Sequence, residues 1–357
     1  MSLRRLSGDK KCHLEASARL VLYMGAHRRR LMIRHAPSCL APMAADDRRM
    51  SRPSPIPRRF EAVPFATTEA LAAGVTPRRL RSITLAAPHR GVRVDARRLH
   101  TLRERCSALA VVMTDGQAFT GPTAAILLGL PLPFRLERDP SLHVVALDGK
   151  RAPRRRGVVA SRSSARPRLV GVVGVSGARL TAPADTWCSL AEHLSLDDLI
   201  AAGERLLGLP VPLASGRTLD EAIRRHGSRR GARKLAEARH AMRANVYSRR
   251  ETFTRLVLTR AGLPEPEPNG PIVLRSGRRT RGDLVFREYK VLVEYDGEQH
   301  LFDVDQWATD VARLNDLIDD GWWVIRVTKG TPRAELIGRT VRALAERGWI
   351  GAVAASK

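Results

Sequence analysis

A chain of 357 residues with a formal charge of +26 is too long for one small domain and too basic to be indifferent to its partners. At ~150 residues per domain, the length predicts about two or three domains. An apolar fraction of 43% excludes wholesale disorder, and four cysteines exclude a disulfide scaffold. The apolar runs fall short of the ~18 residues that a membrane span needs.

Arginine supplies 55 of the 62 basic residues and lysine 7. Such a skew, with many Ala, Gly and Pro, fits a high-GC bacterial genome, so part of the charge reflects codon usage. The arginines nevertheless cluster, at Arg28–Arg30, Arg78–Arg81, Arg154–Arg156, Arg224–Arg233 and Arg278–Arg281. Clustered charge makes a field that scattered charge does not. The reading is a multi-domain α/β protein of the bacterial cytoplasm, nucleoid-associated, off the membrane and bound to nucleic acid; solvated basic faces are the alternative.

Residues 1–49 hold 11 basic and 4 acidic residues without a clear period. Ala16 to Ala26 is too short and polar for a secretory core. The segment reads as a disordered extension upstream of the true start, with Met50 as initiator, or else as a basic arm touching DNA. Without it the charge is +19, from 51 basic and 32 acidic residues.

Residues 50–105 are expected to form a winged helix-turn-helix. Thr68 caps a short helix ended by Gly74; Thr76 caps a second, with Pro77 in its first turn. Leu80, Ile83 and Leu85 give the second helix an apolar side and leave Arg78, Arg79 and Arg81 outward. HRGVRVD follows as a turn and a short strand, the wing. In that layout the second helix enters the major groove and the wing lies on phosphates.

Residues 106–207 change to mixed α/β grammar. TGPTAAILLGLPLP predicts a capped helix, LHVVAL and RGVVASRS two strands around a basic loop, and GARLTAPADTWCSLAEHLSLDDLIAAGERLL a strand and two helices. Cys188 reads as a buried side chain, Asp197 and Asp198 as first-turn charges favoured by a helix dipole. Neither His143 nor His193 has a partner at ligand spacing. The succession of winged helix, GPTAA, LHVVAL and RLTAPADTWCSLA resembles the AbiEi family of type IV toxin-antitoxin antitoxins over about residues 60–205. The resemblance implies DNA binding by the winged helix, a regulatory middle domain and a cognate toxin as partner. Residues 208–245 read as a basic helical linker in two pieces, interrupted by the glycines of RRHGSRRGARK; it tracks phosphate or is a solvated face.

Residues 246–357 carry the most specific signal. Ser248 precedes Glu251 at capping-box spacing. A Pro/Gly-rich turn at 264–270 follows, then three short strands, IVL, DLVF and VLVEY. Asp283 starts the second strand; Glu294 and Asp296 end the third on one face, with Tyr295 opposite. Converging acids raise one another's pKa values, and the usual compensation is a hard divalent cation. Mg²⁺ takes one or two carboxylates plus waters and phosphate oxygens. A helix from about Asp305 carries Trp307, Val311, Leu314 and Ile318 on one side; Gly321 ends it, and WVIRVT is a fourth strand. Arg313 and Arg326 face the acids or a DNA phosphate beside them.

The pattern D-x10-E-x-D-G-x-x-H, then D-x-x-R and G-W-x-V-x-R, resembles the Vsr-like "domain of unknown function 559" family. That family lies within the PD-(D/E)XK nuclease superfamily, akin to very-short-patch repair endonucleases. Here the pattern is Asp283, Glu294, Asp296, Gly297 and His300, with Asp310, Arg313 and Arg326 behind it. The resemblance implies a mixed sheet flanked by helices, Mg²⁺ or Mn²⁺ dependence and cleavage of double-stranded DNA. By position, Asp283 and Glu294 are metal ligands, Glu251 the supporting acid, and His300 a general acid/base or a contact to the scissile phosphate. Asp296 stands where the superfamily's half-motif has lysine, so His300, Lys290 or Arg313 must orient the water. The alternative is a non-catalytic, antitoxin-like transcriptional regulator with an inactive nuclease fold; a structural protein meeting an acidic partner is a third class.

Overall fold

Apolar spacing and turn residues set short elements in the first forty residues that the structure, a computed structural model, describes. The described residues are 55–296 and 304–353, without the side chains of 304–308. The described residues form one unit of mixed α/β architecture, and none of the described helices is long and apolar enough to cross a membrane. The expectations for residues 1–49 and for Met50 lie outside the described residues.

Strand β1 (Phe65–Ala66) leads into α1 (Thr67–Ala72) and α2 (Pro77–Leu80), followed by β2 (Leu85–Ala86) and β3 (Val92–Asp95). The strands form an antiparallel sheet in the order β1-β3-β2 around a small core of Phe60, Phe65, Ala70, Val75 and Leu80. Two local expectations fail here. Thr68 is not the cap: α1 begins at Thr67, with Ala66 extended before it. Thr76 does cap α2, accepting from the Arg79 N–H at 3.2 Å, but that helix is a single turn. Leu80 fills the core, whereas Ile83 is 95% exposed and Leu85 belongs to a strand. So small a core has room for one leucine from this turn.

Next come α3 (Leu102–Ala110), β4 (Gln117–Phe119), α4 (Gly121–Leu127), α5 (Phe134–Glu137), β5 (Leu142–Ala146), β6 (Val158–Arg162), β7 (Leu169–Gly171), β8 (Arg179–Thr181), α6 (Pro183–Leu190) and α7 (Leu196–Leu207). The strands order as β6-β5-β4-β8-β7, with β5∥β6 and β4∥β8. All five residues of β5 are buried, as expected of a strand covered on both faces, with His143 as its one polar side chain. Trp187 is fully buried and donates from Nε1 to the Leu199 carbonyl at 2.8 Å, pinning α6 to α7.

The basic stretch that follows forms α8 (Gly216–His226) and α9 (Ala232–Ala241), broken at Gly227 and Gly231, both at positive φ. The two helical pieces are those read from the sequence. Their apolar sides are not free to serve a loose joint: Leu219, Ala222, Leu235, Ala238 and Met242 enter the same core as Trp187, Leu199, Ile200 and Leu206. The alternation of Ala/Leu with Arg is amphipathic packing.

The last elements are α10 (Arg249–Arg260), β9 (Glu267–Val273), β10 (Arg279–Phe286), β11 (Val291–Tyr295), α11 (Val304–Asp319), β12 (Trp323–Val327) and α12 (Arg333–Glu346). The sheet order is β12-β11-β10-β9, antiparallel except for β11∥β12, which α11 connects. Strands β9 and β10 start earlier than the sequence suggested, at Glu267 and Arg279, because they pair with one another over residues 267–273 and 279–285. Asp283 is therefore in mid-strand rather than at a strand start.

Helix α10 belongs to two cores. Leu256 packs with the α6–α9 helices, Leu258 with the last sheet and α12. Arg249, Arg255 and Arg260 pair with Asp198, Glu204 and Asp197 of α7. Of these, the Glu204–Arg255 pair is fully buried.

Gly282 has no room for a side chain. A Cβ there would stand 2.2 Å from Leu292 Cδ1 and 3.0 Å from Val285 Cγ2, and both neighbours are buried. Gly282→Ala is expected to cost about 1–3 kcal/mol through overpacking, read as a lower urea midpoint with an unchanged slope. An unshifted midpoint would mean that β10 and β11 lie farther apart.

Candidate functional site

Side-chain alternation on β10 puts Arg279, Arg281 and Asp283 on one face. On the neighbouring strand Glu294 lies opposite Arg326 of β12, and the Asp296 N–H donates to the Val327 carbonyl at 2.7 Å. These residues, with Thr280, Tyr295, Asp310, Arg313 and Leu314, line a cleft of about 950 Å³ between the sheet and α11.

The phase of α11 decides who faces that cleft. The expected apolar side, Trp307, Val311, Leu314 and Ile318, is not the packed one. Leu317 is fully buried, whereas Ile318 is 54% exposed, and the side chain of Trp307 is outside the described set. Asp310, Arg313, Leu314 and Leu317 follow i, i+3, i+4, i+7 spacing and so share a face. Burying Leu317 turns Arg313 inward.

Arg313 then grips Glu294 with both ends of its guanidinium, Nη1 to Oε2 at 3.1 Å and Nη2 to Oε1. Its Nε donates to Thr280 Oγ1 at 2.7 Å and Nη2 also reaches the Arg281 carbonyl. Arg326 pairs with Asp296.

Asp283 has no such cation. Its Oδ2 accepts the Tyr295 N–H at 2.8 Å. Burial, then the charge of Glu251, and then that of Glu294 push its pKa up to about 7, against the relief from that N–H and from Arg313. Glu251, in the first turn of α10, is 6% exposed and does not line the cleft. Its Oε2 accepts from the Tyr247 N–H at 3.0 Å and from Asn269 Nδ2 at 2.6 Å. It acts on Asp283 through its charge.

The remaining expected residues fall elsewhere. His300 lies outside the described residues. Lys290 cannot orient a water here: its ammonium donates to the Asp320 carbonyl at 2.8 Å and pairs with the Asp320 carboxylate, at the opposite end of β11. Arg313 is committed to Glu294. Tyr295 packs partly against the sheet core, with Arg250 5.8 Å over its ring. Arg78 and Arg81 are exposed on the first helical pair, and Arg79 donates to Thr84 Oγ1 at 2.9 Å. Arg279 and Arg281 were missed as site residues; the period of two in RTRGD was the available signal.

Asp283 and Glu294 suit a hard divalent cation in donor chemistry: a carboxylate kept at an electrostatic disadvantage beside a second one, with open volume for water or phosphate oxygens. Among the described residues no three His, Cys, Asp or Glu side chains gather closely enough to hold a metal alone. Compared with family models, curated proteins and solved structures, the chain matches none.

Proposed function

We propose that the chain is a divalent-metal-dependent deoxyribonuclease that hydrolyses phosphodiester bonds of double-stranded DNA. The observation that carries the reading is Asp283, a carboxyl pushed up to about 7 inside a cleft whose rim is arginine. A buried acid without a cation is costly, and strongly perturbed groups in clefts mark working sites. Asp283 and Glu294 would hold Mg²⁺ or Mn²⁺, which when bound lowers the pKa of a water and neutralises phosphate charge. The chain's own residues do the rest. Glu251 keeps the field at Asp283 negative, Arg313 fixes the Glu294 carboxylate, and Arg279, Arg281 and Arg326 draw the phosphate backbone to the cleft mouth. By the family resemblance, His300 would serve as the general acid/base or contact the scissile phosphate.

A four-stranded sheet with one helix before it and a helix joining its parallel pair is in keeping with the Vsr-like, PD-(D/E)XK resemblance. Two short helices and a hairpin at residues 65–95 are in keeping with a winged reader carrying Arg78, Arg79 and Arg81, and the AbiEi-like portion would set it on the duplex.

One observation favours a second reading, a non-catalytic antitoxin-like regulator: Arg313 occupies both oxygens of Glu294. Supercoiled plasmid with Mg²⁺ or Mn²⁺ separates the two. Cleavage is expected from the wild type and should fall by roughly a hundredfold or more in Asp283→Ala and Glu294→Ala, the scale on which a preorganised charge-stabilising group acts. Duplex binding without cleavage under either metal leaves the regulator.

A further inference from the structure

A second cavity, of about 330 Å³, shares no lining residue with the carboxylate cleft. It opens among β5, β6, α6 and α8. At its wall His143 of β5 is 8% exposed, and its Nε2 has no hydrogen-bond partner in the protein. The His193 ring meets it edge to face, 5.4 Å between centroids. Two histidines with no sequence spacing to connect them thus meet across β5 and the end of α6.

The charges around the pair favour an anion. Arg162, Arg225 and Arg229 line the cavity, with Asp185 and Glu192 as the carboxylates. Asp185 is already used. Its two oxygens accept from Arg225 Nε at 3.1 Å and Nη2 at 2.8 Å, which fixes the plane of a guanidinium that is still a quarter exposed. A guanidinium held in this way offers its remaining N–H groups in a set direction, the arrangement that suits phosphate. A metal cation would meet three guanidiniums.

Burial, with the neighbouring imidazole of His193, holds the His143 pKa below its ordinary value, so the ring is neutral at pH 7. A neutral imidazole carries one N–H that can donate to an oxyanion, and the ring of His143 forms part of the cavity wall. The volume sits at the low end of the ~300–1,000 Å³ range of small-molecule sites.

We propose that this cavity binds a small phosphate-bearing ligand, with Arg225 and Arg229 holding the phosphate and the His143 ring at the wall contributing an N–H to it. The site stands independently of the nuclease reading. Full-length protein is titrated with inorganic phosphate and with adenosine 5′-monophosphate, following calorimetry and the melting temperature. Saturable binding of at least one probe is expected. The apparent Kd should rise at least about tenfold, the loss of one charge-assisted hydrogen bond, in His143→Phe and in Arg229→Gln. It should stay unchanged in Arg279→Gln of the other cleft. A response to the nucleotide alone identifies a nucleotide site, and equal responses identify phosphate as the whole ligand. If His143→Phe does not fold, Arg229→Gln decides by itself. No saturable binding of either probe overturns the proposal. So does binding that Arg279→Gln abolishes and Arg229→Gln leaves intact.

Discussion

Asp283→Asn is expected to stabilise the metal-free protein at pH 8 by about 2–4 kcal/mol and to change little at pH 4. In the fold this carboxyl titrates at about 7 rather than the ordinary 3.8, because burial and the charges of Glu251 and Glu294 oppose its ionisation. Between those values the native state holds a proton that the unfolded chain has released. The contribution is therefore complete below about pH 4 and is lost as pH rises through about 7; above that the fold carries an unfavourable buried anion. Asparagine imitates the protonated form and keeps an oxygen for the Tyr295 N–H. Urea unfolding of wild type and variant at pH 4, 6 and 8, with a chelator present, reads the difference. A gain of equal size at pH 4 and pH 8 would place its origin in packing rather than charge. The metal proposal adds an opposite expectation. Mg²⁺ should raise the midpoint of the wild type, by RT ln(1 + [L]/Kd), and leave that of Asp283→Asn nearly unmoved.

Glu204→Ala should destabilise the protein by about 3–5 kcal/mol, the cost of leaving a buried cation without its partner. Glu204 and Arg255 are almost wholly inaccessible, and the pair is not isolated. Glu204 also accepts from Thr252 Oγ1 at 2.6 Å and from the Arg243 N–H at 2.8 Å, while Arg255 reaches Glu265 at 2.7 Å and the Ala241 carbonyl at 2.9 Å. Removing one carboxylate strands donors from α10 and from the chain after α9. By contrast Asp95→Ala, which breaks the exposed pair with Arg97, should cost at most about 1 kcal/mol. Replacing Glu204 and Arg255 together by methionine should cost less than the sum of the single changes, because neither charge is then left alone. Strict additivity in denaturant titrations would show that the two side chains do not interact. Since α10 also carries Glu251, loosening it from α7 should alter the environment of Asp283 as well.

The local half of the molecule was legible because it is local. Thr76 before Pro77, Ser248 before Glu251, the glycines at 227 and 231, and the apolar run LHVVAL each announce an element through chemistry within a few residues, and the elements are there. The second helix of the first pair misled because Leu80, Ile83 and Leu85 have helical spacing. The small core takes Leu80, Leu85 packs against it from a strand rather than a helix, and Ile83 is left exposed. In α11 the hydrophobic spacing was compatible with more than one face, and burial of Leu317 selected another.

At the candidate site, the sequence by itself singled out Asp283, Glu294 and Asp296 by strand placement and Glu251 by what the family resemblance implies. Glu294 and Asp296 share a face through the period of two. Only the tertiary structure decided their charges and partners. Arg313 reaches Glu294 because α11 packs on Leu317, Lys290 is drawn to Asp320, and Asp283 is left to burial and its acidic neighbours. The meeting of His143 with His193 belongs to the same class. Hydrogen-bond partners, desolvation and fields depend on separations of a few ångströms between residues distant in the chain, and no spacing along one strand or helix encodes those.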